Sequence, residues 1–310
     1  MSDVILVKSD FDRFSEWEDE FRKHDIQAIP WDDMAQHCET VKYALVWQPE
    51  PGALASLPNL EVIFSVGAGV DHLKGEGLVP AGIPVVRMVE DSLTAGMVEY
   101  IVYNVLRFHR EMPVYERDQA NQIWKPRVQQ SAWGRTAGIL GLGVLGSAAA
   151  AALRRLKFNV IGWSRTEKQV RGVTSYVGQN QLGIFLQKTE FLVILLPLTD
   201  ATHGIVNQTL LQQLPRGAFV INAGRGPLVR DQDLLAALDQ GQVAAAALDV
   251  FNQEPLPPQS PYWKHPAVTI TPHVASITLP VTSAHHVADN IQRHREGKPL
   301  THLADLSRGY

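Results

Sequence analysis

A glycine-rich turn between a strand-like run and an alanine-rich run decides the fold. Residues 136–153 read TAGILGLGVLGSAAAAAL, and the glycines that match the pattern G-x-G-x-x-G are Gly141, Gly143 and Gly146. The first glycine permits a tight turn, the second lets a pyrophosphate approach the backbone, and the third lets the following helix pack closely on the sheet. Because a predicted strand precedes the pattern and a predicted helix follows it, dinucleotide binding is favoured over glycines that serve packing alone.

The same alternation of strands and helices extends in both directions from this turn. Towards the C-terminus, strands are predicted at 159–163, 191–195, 218–222, 243–248 and 268–270, with helices at 145–156, 207–214 and 231–240. Towards the N-terminus, strands are predicted at 4–7, 43–47, 62–65 and 85–86, with helices at 13–24 and 92–110. A last helix, residues 281–297, is predicted to return and pack on the first domain.

This pattern predicts an α/β protein with two doubly wound (Rossmann/flavodoxin-like) parallel-sheet domains separated by a cleft. Residues 1–98 plus 276–310 are predicted to form the substrate-binding (catalytic) domain, and residues 99–275 the dinucleotide-binding Rossmann domain. The polar segment 118–134 fits neither regular period and is interpreted as an excursion from the second domain.

The composition of the chain indicates which kinds of partner it can bind and in which compartment it is expected. The 310 residues are 45% hydrophobic and 19% charged with a net charge of −4, so the chain should fold and carries no basic field for nucleic acid. No apolar run approaches the ~20 residues that span a bilayer. The chain has a single cysteine, Cys38, so it can form no intramolecular disulfide. The apolar run at residues 4–7 is too short for a signal peptide, and a cytoplasmic protein is predicted.

The end of the second strand of the Rossmann domain indicates which dinucleotide binds. Versions that bind NAD place a carboxylate there, about 20 positions after the first glycine, to bind the ribose hydroxyls. Here that position is Ser164 (164 − 141 = 23), followed by Arg165 and Thr166 with Lys168 nearby. Hydroxyls and a guanidinium suit a 2′-phosphate, so NADPH is predicted as the preferred cofactor, with NADH possible.

Three later segments each follow a predicted strand and carry polar side chains. They contain Arg225 in NAGRG, Glu254 after LDVF, and His273 in TPHVA. The carboxyl ends of parallel strands meet at the ligand-binding edge of a doubly wound sheet, so we expect these residues to converge despite separations of 29 (254 − 225) and 19 (273 − 254) positions. An arginine, a carboxylate and a histidine together indicate acid–base chemistry on an anionic substrate.

These segments, together with the glycine loop and the stretch SVGAGVD at 65–71, resemble the D-isomer-specific 2-hydroxyacid dehydrogenase family along the whole chain. Within it, the motifs YALVW at 43–47, WKP at 124–126 and the terminal RGY at 308–310 are most similar to the bacterial glyoxylate/hydroxypyruvate reductase A group. The resemblance implies NADPH-dependent reduction of small 2-oxo acids.

The resemblance also implies a role for each site residue. His273 would donate a proton, Glu254 would hold its ring and stabilise the protonated form, and Arg225 would bind the carboxylate and carbonyl oxygens. Asp249 would bind the nicotinamide carboxamide. Further cofactor contacts are expected from Leu145, Pro197 and Thr202, and substrate contacts from Trp47, Trp124 and the backbone of Gly67, Ala68 and Gly69 in the other domain.

Two alternatives share these motifs. The C-terminal-binding corepressors have the same architecture and triad, and other family members oxidise larger acids such as phosphoglycerate. The physiological 2-oxo acid is left open. A homodimer is expected, in which Trp124 could reach a partner subunit. No metal is predicted, since His285 and His286 have no cysteine or carboxylate at ligand spacing.

Overall fold

The computed structural model describes residues 3–10, 12–306 and 308–309. The strands are β1 (Asp3–Lys8), β2 (Ile26–Pro30), β3 (Tyr43–Val46), β4 (Val62–Ser65), β5 (Val85–Val86), β6 (Thr136–Leu140), β7 (Asn159–Ser164), β8 (Thr174–Val177), β9 (Phe191–Ile194), β10 (Ala218–Asn222), β11 (Val243–Leu248) and β12 (Val268–Ile270). The α-helices are α1 (Phe14–Arg22), α2 (Met34–His37), α3 (Asp91–His109), α4 (Met112–Ala120), α5 (Val144–Arg155), α6 (Gly178–Gln187), α7 (Gln208–Leu211), α8 (Asp231–Asp239) and α9 (Pro280–Arg295).

The chain divides into two compact units. One consists of Met1–Leu93 and Ile277–Tyr310, and the other of Thr94–Ser276, so the division falls within α3. No helix in the described part of the chain combines the length and the apolar character needed to cross a bilayer.

The first unit is a five-stranded parallel sheet with the order β2-β1-β3-β4-β5. Alternate strand residues face opposite sides: Ile5 packs with α1 and α9, while Leu6 packs in the cluster on the other side. Both faces are therefore buried, as expected of parallel strands that read as continuous apolar runs. The helix α9 belongs to this unit and buries Val287 and Ile291.

The second unit is a seven-stranded parallel sheet with the order β12-β11-β10-β9-β6-β7-β8. Chain order reverses between β6 and β9, which makes the carboxyl ends of these strands the switch point where such sheets bind ligands. One face buries Ile139 and Val193 against α3 and α5, and the other buries Leu140 and Ile194. The predicted fold class of two doubly wound parallel sheets is confirmed.

Several elements were not predicted from the sequence. The edge strands β2 and β8 are short, and β8 is partly exposed along its length. Helix α4 occupies residues 112–120, so the first part of the segment interpreted as an excursion is helical. Its sequence, MPVYERDQA, is polar on most of its surface, and for this reason it shows no apolar stripe of period 3.6.

Candidate active site

The glycine turn after β6 has the geometry of a phosphate cradle. Gly141 has φ of +114°, and a Cβ on it would lie 2.7 Å from the carbonyl oxygen of Leu195. A Cβ on Gly146 would overlap the carbonyl oxygen of Gly141. Gly143, by contrast, is exposed with open space around its Cβ position, at the N-terminus of the 12-residue helix α5. The turn therefore leaves room for a pyrophosphate against helix N–H groups, and the residues fit a dinucleotide.

The segment after β7 lies beside this turn. The backbone N–H of Gly141 donates to the carbonyl oxygen of Trp163 at 2.9 Å, which fixes the turn next to the strand end. Ser164 is 7% exposed, and its hydroxyl donates to the carbonyl oxygen of Thr166 at 2.7 Å. The side chains of Arg165 and Thr166 are exposed. Ser164 thus shapes the loop in which Arg165 is exposed.

The loop after β9 is held closed by one hydroxyl. Thr202 Oγ1 donates to the carbonyl oxygen of Pro197 at 2.7 Å and accepts from the backbone N–H of Thr199 at 2.8 Å. Leu145, in the first turn of α5, is half-buried. The predicted contact residues Leu145, Pro197 and Thr202 therefore all belong to segments at the switch point between β6 and β9.

Asn222, the last residue of β10, brackets Arg225. Its side-chain Oδ1 accepts from the N–H of Gly224 at 3.1 Å, and its Nδ2 donates to the carbonyl oxygen of Arg225 at 3.1 Å. Arg225 Nη1 donates to the carbonyl oxygen of Gly224 at 2.9 Å. A Cβ on Gly226 would overlap the backbone of Phe251, so this turn packs directly on the segment that leads to Glu254.

Glu254 and His273 form a close pair. His273 Nδ1 lies 2.7 Å from Glu254 Oε2, and the backbone N–H of Phe251 donates to Glu254 Oε1 at 2.8 Å. Burial acts to raise the pKa of Glu254, but the hydrogen bonds from His273 and Phe251, with the positive charges of His273 and Arg225, outweigh it and lower that pKa. Glu254 thus interacts with both of the other predicted catalytic residues, through a hydrogen bond with His273 and through the charge of Arg225.

The backbone at His273 is held in a conformation that is unusual for a residue with a side chain. Its φ is +57°, and its N–H donates to the carbonyl oxygen of Asp249 at 2.8 Å. The Asp249 side chain is 1% exposed and accepts from the N–H groups of Val274 at 2.9 Å and Ala275 at 2.8 Å. Asp249 therefore organises the turn that presents the His273 ring.

The first unit holds the second glycine turn, residues 67–69, through a buried hydroxyl. Ser65 Oγ, fully buried, lies 2.9 Å from the carbonyl oxygen of Gly67 and 3.0 Å from that of Gly69. Trp47 is 9% exposed, and its ring centroid is 4.2 Å from that of His72. A Cβ on Gly67 would lie 2.9 Å from Cζ3 of the Trp47 ring. Trp47 and the glycine turn are therefore in contact with each other.

Trp124 is 99% exposed, in the extended segment that follows α4. Val128 and Trp133 in the same segment are also largely exposed. Among residues 3–10, 12–306 and 308–309, no group of three or more His, Cys, Asp or Glu side chains is arranged to hold a metal ion.

The residues that position the site were not predicted. Asn222 lies in the motif NAGRG and Ser65 begins the motif SVGAGVD, but neither motif assigns these two residues a role. Thr271 donates its hydroxyl to Asp249 Oδ1 at 2.6 Å. Each is a small polar residue at or just after a strand end, and that placement is the signal that could have identified it.

The fold and the glycine turn define a dinucleotide-dependent oxidoreductase. The family model for the NAD-binding domain of D-isomer specific 2-hydroxyacid dehydrogenases matches residues 102–275, more than half of the chain. The chain belongs to the D-isomer specific 2-hydroxyacid dehydrogenase family.

Named relatives agree with this assignment. The glyoxylate/hydroxypyruvate reductase A of Yersinia enterocolitica is 46% identical over 273 residues, covering 86% of this chain and 87% of the relative. The protein of the same name from Serratia proteamaculans is 43% identical over 273 residues, covering 86% of this chain and 87% of the relative.

Solved structures match along nearly the whole chain. A D-isomer specific 2-hydroxyacid dehydrogenase from Xanthobacter autotrophicus Py2, in complex with NADPH and MES, is 39% identical with a TM-score of 0.96 and full coverage of both chains. The NADPH-dependent glyoxylate/hydroxypyruvate reductase of Sinorhizobium meliloti, in complex with NADP and sulfate, is 37% identical with a TM-score of 0.93, covering 99% of this chain and 100% of that one.

Proposed function

We propose that this protein is an NADPH-dependent reductase that converts glyoxylate to glycolate and hydroxypyruvate to D-glycerate. The observation that carries the proposal is the 2.7 Å pair of His273 and Glu254 beside Arg225, on the unit that also holds the dinucleotide turn. The relatives named for this activity, and the NADPH in a matching structure, support the same cofactor and substrate class.

The Rossmann unit would hold the cofactor through its glycine turn and the adjacent loops. Backbone N–H groups from Gly143 to Gly146, at the start of α5, would bind the pyrophosphate, and Ser164 and Arg165 would bind the ribose 2′-phosphate. When bound, NADPH supplies the hydride that reduces the carbonyl carbon.

The chain's own residues supply the proton and the electrostatic stabilisation. The protonated His273 ring donates its Nε2 proton to the developing alkoxide, while Nδ1 stays hydrogen-bonded to Glu254. Glu254 remains ionised because its pKa is lowered, so it stabilises the positive ring before transfer. Arg225 binds the carboxylate and polarises the carbonyl through its planar fork of donors.

We also assign substrate contacts to the first unit. The backbone N–H groups of residues 67–69 are proposed to bind the substrate carboxylate, with Trp47 as an apolar wall. This assignment makes the unit of Met1–Leu93 and Ile277–Tyr310 the substrate-binding unit.

A homodimer is proposed from the apolar surface of the second unit. Within residues 112–133 of this unit, the exposed large apolar side chains are Met112, Ile123, Trp124, Val128 and Trp133. Large apolar side chains exposed close together on one segment are typical of a protein interface. Sedimentation of the Trp124→Ala variant tests this proposal, with Trp263→Ala, at a half-exposed tryptophan, as the control. Only Trp124→Ala should weaken the dimer.

A reducing compartment, the cytoplasm, fits a chain with one cysteine.

The function is tested by following NADPH and NADH oxidation with a panel of 2-oxo acids. We expect the highest kcat/KM with NADPH and either glyoxylate or hydroxypyruvate, and much lower values for 2-oxo acids with large side chains. Binding of NADPH without turnover of any 2-oxo acid would contradict the proposal and favour a nucleotide-sensing protein.

A further inference from the structure

A chain of hydrogen bonds connects helix α3 to the turn that carries His273. Tyr100 OH lies 2.9 Å from Thr271 Oγ1, and Thr271 Oγ1 donates to Asp249 Oδ1 at 2.6 Å. We propose that Tyr100 and Thr271 are positioning residues that act through Asp249 on His273 and thereby set the rate of proton transfer. The proposal rests on the assignment of His273 as the proton donor.

The direction of the chain follows from the chemistry of its groups. An ionised carboxylate can only accept, so the single hydroxyl proton of Thr271 goes to Asp249. Thr271 Oγ1 is then an acceptor towards Tyr100, and Tyr100 donates. Burial, with the nearby charge of Asp249, raises the pKa of Tyr100 to about 12, so the phenol keeps its proton throughout the neutral range. The order is therefore Tyr100 to Thr271 to Asp249.

Asp249 connects these hydroxyl groups to the turn after β12 through hydrogen bonds. Its Oδ1 accepts from Thr271 and from the N–H of Val274, and its Oδ2 accepts from the N–H of Ala275. Its backbone oxygen accepts from the N–H of His273. These bonds flank His273 on both sides and hold the positive φ of +57° that aims its ring at Glu254.

Tyr100 is well placed to anchor this network. It lies in the 19-residue helix α3, and its carbonyl oxygen accepts from Asn104 Nδ2 at 2.9 Å. The neighbouring residues Met97 and Ile101 are in the core of the same unit. The phenol oxygen is thus held by a rigid element, which is the requirement for fixing a catalytic side chain to a fraction of an ångström.

The test uses variants that remove one hydroxyl each. Tyr100→Phe and Thr271→Val break the chain with little change of shape, whereas Thr271→Ser keeps the hydroxyl. Tyr103→Phe is the matched control, because Tyr103 lies in the same helix and is 60% exposed. For each variant, kcat and KM are measured with glyoxylate at saturating NADPH, and NADPH binding by fluorescence.

We expect Tyr100→Phe and Thr271→Val each to lower kcat roughly tenfold, with KM and NADPH affinity nearly unchanged, because only the geometry of proton transfer is disturbed. Thr271→Ser and Tyr103→Phe should stay close to the wild-type kcat. The double variant of Tyr100→Phe and Thr271→Val should be no slower than either single variant, since both break the same chain.

The same substitution made in a His273→Asn enzyme distinguishes failure of this proposal from failure of the role assigned to His273. In a His273→Asn enzyme, Tyr100→Phe should cause no further loss, because the group it positions is gone. An equal further loss would overturn the proposal, as would wild-type kcat in Tyr100→Phe alongside a slow His273→Asn. Wild-type turnover in His273→Asn would instead overturn the proton-donor assignment and this proposal with it.

A readout without turnover completes the design. Tyr100→Phe should speed amide hydrogen exchange at residues 274 and 275, because their N–H groups donate hydrogen bonds to Asp249. Unchanged exchange there would overturn the proposal. If Tyr100→Phe does not fold, the comparison of Thr271→Val with Thr271→Ser gives the same decision.

Discussion

His273 Nδ1 and Glu254 Oε2 lie 2.7 Å apart, although the two residues follow different strands. Glu254 comes after β11 and His273 after β12, which are hydrogen-bonded neighbours in the sheet. Glu254 thus holds the ring through Nδ1, and the proposed function assigns the proton transfer to Nε2.

The first prediction concerns this ring. His273→Asn should lower kcat by roughly 10²-fold or more, because the proton donor is lost while the nucleotide fold is untouched. NADPH affinity should stay at the wild-type value. The measurement is steady-state reduction of glyoxylate with NADPH titration by fluorescence, and His24→Asn, at an exposed histidine after α1, is the control. Turnover equal to wild type would remove His273 from the mechanism.

A second prediction concerns the guanidinium after β10. Arg225→Lys should lower kcat/KM with glyoxylate by at least about tenfold, since an ammonium cannot reproduce a planar fork that contacts two oxygens. The two hydrogen bonds of the Asn222 side chain to the backbone of Gly224 and Arg225 do not involve the Arg225 side chain, so they should persist in the variant. Arg155→Lys, at an exposed arginine in the last turn of α5, is the matched control. An unchanged efficiency in Arg225→Lys would contradict the assigned role.

Cofactor choice gives the third prediction. The double change Ser164→Asp with Arg165→Ala should shift preference from NADPH towards NADH, chiefly through the Michaelis constant for NADPH. A carboxylate would repel the 2′-phosphate, and the loss of charge-assisted hydrogen bonds costs ~1.5–3 kcal/mol each, or about one to two tenfold steps. Ser164 also bonds the carbonyl oxygen of Thr166, so Arg165→Ala alone separates lost charge from altered loop shape. Retained NADPH preference in the double variant would place phosphate recognition elsewhere.

The fold was predictable where a strand is a continuous apolar run bounded by glycine or proline. Strands β6, β10 and β11 have the predicted bounds because both faces of a central parallel strand are buried, which leaves a strong signal. The edge strand β8 is partly exposed and reads as a loop.

The candidate site was predictable only in part, for a different reason. Arg225, Glu254 and His273 could be identified because each follows a strand and carries a chemistry-bearing group. Tyr100 could not, because it bonds a hydroxyl 171 positions away, and only the packing of α3 against the sheet brings the two together. No local pattern encodes such a pair.

The last prediction concerns a buried histidine at the other end of the same sheet. His109 is 7% exposed at the end of α3, and its ring centroid lies 5.0 Å from that of Phe158 and 6.5 Å from that of Phe191. Burial lowers its pKa below the ordinary 6.5, and the cations Arg135 and Arg110 lower it further against a smaller opposing effect of Glu190.

The sign of the pH effect follows from proton binding in the two states. Below the ordinary value of 6.5, His109 binds a proton more readily in the unfolded chain than in the folded one. The free energy of unfolding should therefore fall as pH drops from 6.5, with one group contributing at most about 1.4 kcal/mol per pH unit. Above 6.5 both states are neutral at this position, and the contribution disappears.

His109→Phe should reduce this dependence, because it keeps an aromatic ring against Phe158 and Phe191 and removes the titrating group. The measurement is the denaturant midpoint of the second unit between pH 5 and 8, followed by a signal from that unit. The variant should lose less stability on acidification than the wild type, and the two should differ less above pH 7. Parallel pH profiles for the two proteins would show that His109 does not carry the acid sensitivity.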